Sequence, residues 1–288
     1  MENYKENYNL DLEENIDQKV KVIANNSHQY ATNENLKFLF KILDLTSLNT
    51  DDNSSGINNL CAKLNKVDNE YSDLPSVAAV CVYPPFIEIV KDTLADKNIR
   101  IASVGAYFPS AQTFFNVKKI ECKEIVNSGA DEVDIVLSVG RFLNGEYNDV
   151  KEEIKEIKEA VGNKKLKVIL ETGLLNDYNN ILLASIISME AGADFIKTST
   201  GKLKPAATLD AVYVMCKAIK SFYSKTGKMV GIKPAGGIST VEDALSFYAV
   251  VKEVLGEHWL NSSLFRIGAS RLANDIISKI YEKEIEHF

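Results

Sequence analysis

The most informative part of the sequence is the stretch Phe195-Ile196-Lys197-Thr198-Ser199-Thr200-Gly201-Lys202. Its first two residues are apolar and typical of a buried strand, and Lys197 follows them directly. Lysine is strongly hydrated and seldom ends a buried strand unless something there uses it. Small hydroxyl residues and a glycine come next. The stretch therefore predicts a strand that delivers a lysine to the mouth of a functional site.

A second lysine repeats this arrangement further along the chain. The apolar run Met229–Ile232 leads into Lys233, which is followed by Pro234-Ala235-Gly236-Gly237. Two lysines at the ends of consecutive strands suggest that one amine tunes the other. Such tuning is the chemistry of a lysine that forms an imine with a carbonyl compound.

Strand and helix patterns alternate along the whole chain. Short apolar runs predict eight strands, at Leu43–Leu48, Val77–Tyr83, Ile99–Phe108, Glu132–Ser138, Leu166–Glu171, Phe195–Thr200, Met229–Lys233 and Leu264–Gly268. Amphipathic helical patterns lie between most of them, and this alternation implies parallel strands. We therefore predict an α/β fold, the (β/α)8 TIM barrel, because no GxGxxG or P-loop signature supports an open sheet.

The chain is predicted to carry one catalytic domain behind a short extension. Residues 1–40 are expected to form an N-terminal helical extension and residues 41–288 the (β/α)8 barrel, with no linker dividing them. Within the barrel, Val117, Ile120 and Ile125 belong to the apolar face of a predicted amphipathic helix, and Gly129 is its expected C-terminal cap.

The composition predicts a cytoplasmic enzyme rather than a protein that binds nucleic acid or membranes. The 288 residues are 45% hydrophobic and carry a net charge of -7, so no global basic field exists to hold such partners. Residues 1–20 lack the apolar segment of a secretion signal, and no run approaches the roughly 18 apolar residues of a membrane span. The four cysteines form no metal-binding cluster, so we expect reduced thiols and no metal or other cofactor.

An internal repeat places a carboxylate beside the first lysine. Gly129–Asp134 and Gly192–Lys197 both enter a strand with Gly-Ala-Asp, and the charged residue follows five positions after the glycine. By order these are strands four and six, which contribute to the same interior layer of a barrel. Asp134 and Lys197 are then expected at similar height, with Lys233 one inter-strand spacing of roughly 5 Å away.

An aspartate and two lysines in a closed pocket can perform imine chemistry without a metal. A free lysine, with a pKa of about 10.4, is protonated at neutral pH and cannot attack a carbonyl. A second ammonium about 5 Å away costs the charged form roughly 3 kcal/mol, and burial lowers the pKa further. One lysine thus becomes a nucleophile while its partner stays charged, and the carboxylate can relay protons.

Two glycine-containing loops predict a phosphate site. Gly236–Thr240 leads from strand seven towards a helix, with Ser239 and Glu242 as a capping-box pattern, and Gly268–Arg271 leads from strand eight into the last helix. Loops after these two strands commonly bind phosphate in barrel enzymes through amides at helix N-termini. Lys202 is expected to add a cation.

Each feature alone also has an ordinary explanation. A single lysine after a strand is usually a solvated loop residue, Asp134 could pair with an arginine, and a glycine loop is often only a tight turn. Two lysines and one acid at inward strand positions are harder to explain in that way. Their combination favours catalysis.

These motifs resemble class I deoxyribose-phosphate aldolase. The matching stretches are Leu43–Thr46, Val80–Pro84, Gly129–Val136, Glu171–Gly173, Phe195–Lys202, Lys233–Gly237 and Gly268–Ser270. The resemblance implies a (β/α)8 barrel that cleaves 2-deoxy-D-ribose 5-phosphate reversibly to acetaldehyde and D-glyceraldehyde 3-phosphate, in deoxyribonucleotide catabolism. It implies no metal or cofactor, small-molecule sugar phosphate and aldehyde partners, and a homodimer.

The resemblance also implies roles for individual residues. Lys197 would form the imine, Lys233 would lower its pKa, Asp134 would relay protons and Asp44 would lie in the same polar network. Together with Asp44, the residues of the substrate and phosphate region would be Thr200, Gly201, Lys202, Gly236, Gly237, Ser239, Gly268, Ser270 and Arg271.

The chain departs from the family pattern at several positions. Members often carry an arginine where this chain has Ser239 and a serine where it has Arg271, so we expect Arg271 to replace the missing cation. The loop Gly105–Gln112 lacks a histidine found in some members, and Phe288 stands where some end in tyrosine.

Two other hypotheses for the function remain open from the sequence alone: a lysine-imine aldolase acting on a different sugar phosphate, and a barrel that binds a phosphorylated ligand without catalysis.

Overall fold

Helices precede the barrel in the computed structural model, which describes residues 7, 8, 12, 14–175 and 177–288. Helix α1 spans Ile16–Asn25, a 3₁₀ turn spans Ser27–Tyr30, and α2 spans Asn33–Lys41. The Thr32 side chain caps α2 by accepting a hydrogen bond from the Asn35 amide. Buried residues of both helices, such as Val20 and Phe40, share one hydrophobic core with the barrel. The predicted helical extension is confirmed for these helices, and the rest of its predicted range lies largely outside the described residues.

Eight parallel strands form the barrel. They are β1 Leu43–Thr46, β2 Ala79–Val82, β3 Arg100–Gly105, β4 Glu132–Val136, β5 Lys165–Ile169, β6 Phe195–Lys197, β7 Gly231–Lys233 and β8 Ile267–Ala269. Their order in the sheet is β7-β6-β5-β4-β3-β2-β1-β8. Parallel bridges from Ile232 to Phe265 and from Ala235 to Gly268 bring the two ends together. The predicted (β/α)8 fold is therefore confirmed.

Helices follow the strands and cover the outside of the barrel. They are α3 Ser54–Glu70, α4 Ile87–Thr93, α5 Phe115–Asn127, α6 Val139–Leu143, α7 Tyr147–Val161, α8 Tyr178–Glu190, α9 Leu209–Thr226, α10 Val241–Leu255 and α11 Leu272–Tyr281. All four cysteines are buried and free, as predicted. In the part of the chain that the structure describes, no helix is both long and apolar enough to cross a membrane.

The predicted strands extend too far at several carboxyl ends. β6 stops at Lys197 rather than Thr200, because the chain turns there into a loop, although the Thr198 amide still donates to the Lys233 carbonyl at 3.1 Å. The residues lost from the strands therefore belong to the loops at the barrel mouth.

The predicted buried face of helix α5 is partly wrong. Ile125 is buried as predicted, but Val117 and Ile120 are exposed, at 45% and 63%, and Lys118 is buried. The Lys118 ammonium pairs with the Glu153 carboxylate at 2.8 Å, so a buried ion pair takes the inward position that the apolar pattern had assigned elsewhere. Gly129, with φ +108°, follows the helix end as expected.

Candidate active site

Both predicted lysines meet the predicted aspartate inside the barrel. Lys197 ends β6 and is the register partner of Lys233 on β7. The Lys197 Nζ lies 2.9 Å from Asp134 Oδ2, and the Lys233 Nζ lies 2.8 Å from the same oxygen. All three side chains are buried. The structure thus brings together the three residues that the lysine spacing and the Gly-Ala-Asp repeat singled out.

Asp44 joins this group from β1. Its Oδ2 lies 2.5 Å from the Lys233 Nζ, and its Oδ1 accepts a hydrogen bond from Arg266 at 2.6 Å. Asp44 is completely buried. Its position beneath Lys233 agrees with the polar network that the resemblance implied, and it does not line the open cavity.

Three further charged residues of the network were missed in the sequence analysis. Lys167 on β5 contacts Asp134 Oδ1 at 2.8 Å and Glu132 Oε2 at 2.5 Å. Arg266, just before β8, contacts Glu132 Oε1 at 2.9 Å. One signal was available, because Glu132 lies two residues before Asp134 on the same strand and so faces the same side.

The network balances its charges only when one lysine is neutral. It contains three carboxylates and four cationic side chains: Asp44, Glu132, Asp134, Lys167, Lys197, Lys233 and Arg266. A buried charge is costly without a partner. Three positive charges already balance the three carboxylates, so a fourth positive charge would have no partner. One of the lysines is therefore expected to lose its proton.

The pKa values of the two facing lysines move in opposite directions. Burial lowers the pKa of Lys197, and the charge of Lys233 lowers it further, although Asp134 opposes both. Burial also acts to lower the pKa of Lys233, but Asp134 and Asp44 outweigh it and raise that pKa above its ordinary value. Of the two lysines, Lys197 is therefore the one that loses its proton more easily.

A small cavity opens above Lys197. Its volume is about 240 Å³. Besides Lys197, its lining includes nine of the ten residues predicted for the substrate and phosphate region, all except the buried Asp44: Thr200, Gly201, Lys202, Gly236, Gly237, Ser239, Gly268, Ser270 and Arg271. The lysine network thus lies at the base of a pocket whose wall is formed by the loops after β1, β6, β7 and β8.

The loop after β7 needs glycine at its closest approach to the loop after β6. Gly236 has φ +90°, and a Cβ there would lie 2.9 Å from the Ala206 Cβ and 3.0 Å from the Gly201 Cα. Both contacts are closer than real side chains allow, and the left-handed backbone disfavours other residues. The absence of a side chain leaves this part of the wall to backbone groups.

Helix α10 begins one residue later than the capping-box pattern predicted. The cap is Thr240, whose side chain accepts a hydrogen bond from the Asp243 amide at 3.1 Å. The Asp243 carboxylate in turn accepts a hydrogen bond from the Thr240 amide. The predicted pair of Ser239 and Glu242 is wrong, because Thr240 and Asp243 make both bonds of the capping box and the Thr240 backbone is extended. Ser239 is consequently left at the cavity wall.

Two cations border the cavity in different ways. The Lys202 Nζ donates to the carbonyl oxygen of Leu48, which reaches it from the loop after β1. Arg271 is exposed at the N-terminus of α11, where it makes no side-chain capping bond. The cavity is therefore bordered by two cationic side chains and by the residues that lead into α10 and α11, among them Ser239 and Ser270. Two cations beside a cavity favour an anion.

The two other departures from the family pattern lie away from this wall. The loop Gly105–Gln112 contributes no residue to the cavity lining, and neither does the chain end. Phe288 is held beside α11, where its amide donates to the Asn274 Oδ1 at 3.0 Å and its carbonyl accepts from the Asn274 Nδ2 at 2.7 Å. Among the described residues, no group of three or more His, Cys, Asp and Glu is placed to hold a metal ion.

A (β/α)8 barrel in which a buried lysine of lowered pKa lies below a small cavity has the features of a lysine-imine, or Schiff-base, aldolase. The chain belongs to the DeoC/LacD family of aldolases, whose model matches residues 38–271. It is accordingly an enzyme of the lyase class.

Known proteins align with most of the length of this chain. Human deoxyribose-phosphate aldolase is 44% identical over 249 residues, which cover 83% of this chain and 78% of the human one. A Caenorhabditis elegans protein is 45% identical over 249 residues, covering 85% and 81% of the two chains. A solved structure from Toxoplasma gondii ME49 is 22% identical, has a TM-score of 0.77 and covers 87% of this chain and 95% of that one, which shows the shared fold.

Proposed function

We propose that this enzyme cleaves 2-deoxy-D-ribose 5-phosphate reversibly to acetaldehyde and D-glyceraldehyde 3-phosphate, in deoxyribonucleotide catabolism. The observation that carries the proposal is the contact of Lys197 and Lys233 with one oxygen of Asp134, at 2.9 and 2.8 Å, below the cavity. The enzyme name of the human relative supports the choice of substrate.

Lys197 begins the reaction as the neutral amine. It adds to the aldehyde carbon C1 of the open-chain sugar, and loss of water from the carbinolamine gives an imine. Asp134 is within hydrogen-bond distance of this amine and relays protons to and from the carbinolamine. Lys233 keeps its positive charge and so favours the neutral form of Lys197.

Carbon–carbon cleavage follows from the imine. Removal of the C3 hydroxyl proton breaks the C2–C3 bond, so C3 becomes the aldehyde carbon of glyceraldehyde 3-phosphate and the bonding electrons enter an enamine on Lys197. Protonation of the enamine at C2 restores an imine, and water hydrolyses it to acetaldehyde and free Lys197. The imine is the electron sink, and the scheme uses no metal and no organic cofactor.

The substrate phosphate is proposed to bind at the wall formed by the loops after β6, β7 and β8. Backbone amides of Gly236, Gly237 and the start of α11 supply donors. Lys202 and Arg271 supply cations, and Ser239 and Ser270 supply hydroxyl groups at the same wall. In this proposal Arg271 replaces the arginine that other members carry at the position of Ser239.

A comparison of substrates tests the proposed reaction. Purified enzyme is given 2-deoxyribose 5-phosphate, ribose 5-phosphate and fructose 1,6-bisphosphate at equal concentration, and aldehyde release is followed. We expect a clear preference for 2-deoxyribose 5-phosphate. Faster cleavage of another sugar phosphate would make the chain a different aldolase, and cleavage of none would favour a barrel that only binds its ligand.

The assembly, location and domain division are proposals as well. We propose a cytoplasmic homodimer in which residues 1–40 form the extension and residues 41–288 the catalytic domain. Phe114, which caps the start of α5, and Val117 and Ile120 within α5 are spaced three residues apart. Their side chains are 84%, 45% and 63% exposed, which supports an association surface there. Sedimentation equilibrium of the wild type and of Ile120→Glu tests it, since only the variant should be monomeric.

A further inference from the structure

Glu171 carries a buried carboxylate that the reaction scheme does not use. It follows β5 directly and is 2% exposed. Both of its carboxylate oxygens face Thr200: Oε2 accepts from the Thr200 Oγ1 at 2.6 Å, and the Thr200 amide lies 3.3 Å from Oε1. Within the described ranges, no cationic group lies within ion-pair distance of it.

The backbone of Glu171 is also unusual. Its φ and ψ are 53° and 58°, in the left-handed region that residues with a Cβ seldom adopt. A buried charge without an ion pair and a left-handed backbone are both unfavourable. They persist together only where the surrounding structure imposes them, and such positions concentrate at functional sites.

Glu171 holds the loop that forms one wall of the cavity. The Thr200 Oγ1 that donates to Glu171 also accepts from the Lys202 amide at 3.1 Å. Thr200, Gly201 and Lys202 all line the cavity, whereas Glu171 does not. The carboxylate therefore fixes the orientation of a hydroxyl that in turn fixes the turn at Gly201.

Two further contacts extend this support across the mouth of the barrel. A Cβ at Gly173 would lie 2.2 Å from the Pro205 carbonyl oxygen, so the loop after β5 lies directly against the loop after β6. The Ala207 amide then donates to the Gly236 carbonyl at 3.3 Å. The loops after β5, β6 and β7 thus form one connected row that begins at Glu171.

We propose that Glu171 is a positioning residue for the phosphate end of the substrate, acting through Thr200 on the loop Thr200–Lys202. This inference rests on the proposed phosphate site at that loop. Loss of the carboxylate frees the Thr200 hydroxyl and lets the loop leave the phosphate, while the lysine network at the base of the cavity keeps its contacts.

Three variants test the role of the carboxylate. Glu171→Gly keeps the left-handed backbone and removes the carboxylate, Glu171→Gln keeps an acceptor oxygen for the hydroxyl, and Thr200→Val removes the hydroxyl itself. Glu282→Gly is the matched control, because Glu282 is an exposed glutamate that also has φ 53°. Values of kcat and KM are measured with 2-deoxyribose 5-phosphate and with unphosphorylated 2-deoxyribose.

The expected result is a selective rise in KM. Glu171→Gly and Thr200→Val should each raise KM for the phosphorylated substrate about tenfold or more, with Glu171→Gln in between and little change for 2-deoxyribose. The double variant Glu171→Gly with Thr200→Val should be no worse than the more affected single variant, because both act through one contact. Glu282→Gly should match the wild type.

Other outcomes would overturn the inference. Equal losses on both substrates would make Glu171 a general structural residue, and a normal KM in Glu171→Gly would make the carboxylate dispensable. If Glu171→Gly fails to fold, Glu171→Gln and Thr200→Val decide. Lys202→Met distinguishes failure of the Glu171 role from failure of the phosphate site. A rise in KM for the phosphorylated substrate in Lys202→Met, but not in the Glu171 variants, would refute the role of Glu171 alone. Equal KM values of the wild-type enzyme for the two substrates would refute the phosphate site itself.

Discussion

Lys197 and Lys233 direct their ammonium nitrogens to the same atom, Oδ2 of Asp134, at 2.9 and 2.8 Å. Because both contact one oxygen, the two nitrogens are no more than about 6 Å apart, a range in which like charges lower each other's pKa. Lys233 also contacts Asp44, whereas Lys197 ends at the cavity. The Asp44 carboxylate stabilises the protonated form of Lys233. The repulsion between the two positive charges therefore lowers the pKa of Lys197 rather than that of Lys233.

Removal of the second lysine should move the pH profile of imine formation to higher pH. In Lys233→Met, Lys197 loses the like charge that lowers its pKa and keeps Asp134, which raises it. Since the neutral amine attacks and its fraction grows as pH rises through the pKa, imine formation should require more alkaline solution. The measurement is the initial rate of borohydride trapping with acetaldehyde between about pH 6 and 10.

The matched control for that measurement is Lys155→Met. Lys155 is an exposed lysine that pairs with Glu152 on α7, far from the network. Its profile should coincide with that of the wild type. An unshifted profile in Lys233→Met would show that Lys233 does not tune the nucleophile.

Removal of Arg266 should destabilise the fold strongly. In Arg266→Met, Asp44 and Glu132 lose the guanidinium that lies 2.6 and 2.9 Å from them inside the barrel. Breaking a buried ion pair by removing one partner typically costs about 3–5 kcal/mol. Urea unfolding monitored by circular dichroism measures the free energy of unfolding.

The control for Arg266 is the exposed Arg141. It pairs with the carboxylates of Glu146 and Asp149, at 2.7 Å each, and more distantly with that of Glu153, at 4.0 Å. Since exposed ion pairs contribute about 0–1 kcal/mol, Arg141→Met should change the free energy of unfolding little. Similar losses in both variants would contradict the assignment of the buried network as the costlier one to break.

Loss of Arg271 should weaken binding of the substrate phosphate. A charge-assisted contact is worth roughly 1.5–3 kcal/mol, so Arg271→Ser should raise KM for 2-deoxyribose 5-phosphate about ten- to a hundredfold. Cleavage of unphosphorylated 2-deoxyribose should be nearly unaffected, because it has no group for the guanidinium. Equal losses on both substrates would make Arg271 structural, and an unchanged KM would place it in solvent.

Chelation should leave the activity intact. In the proposed scheme the imine carries the electrons of the broken bond, so no divalent ion takes part. Enzyme dialysed against EDTA and assayed in metal-free buffer should retain its full rate. Inactivation that added Zn²⁺ or Mg²⁺ reverses would rule out the scheme.

Much of the fold and of the reactive centre could be predicted because the relevant signals are local. Short apolar runs that end in polar residues define barrel strands, and the Gly-Ala-Asp repeat places Asp134 and Lys197 at equal height. Arg266 lies within a predicted strand, yet its pairing with Asp44 depends on β8 closing the barrel against β1. That contact joins residues far apart in sequence, and no local pattern contains it.

Local sequence patterns also gave wrong predictions where two local structures fitted the same residues about equally well. Ser239 with Glu242 and Thr240 with Asp243 both have capping-box spacing, and only the backbone geometry selects Thr240. On α5, the apolar pattern could not anticipate that Glu153 of another helix would draw Lys118 inward. In both cases the choice was made by tertiary contacts.

The most direct test of the central claim is to identify the lysine that forms the imine. The enzyme is incubated with acetaldehyde, reduced with sodium borohydride, digested and mapped by mass spectrometry. We predict an ethyl group on Lys197, and no such adduct in Lys197→Arg, because a guanidinium does not deprotonate in proteins. An ethyl group on Lys233 instead would reverse the roles of the two lysines, and the absence of any adduct would contradict imine catalysis.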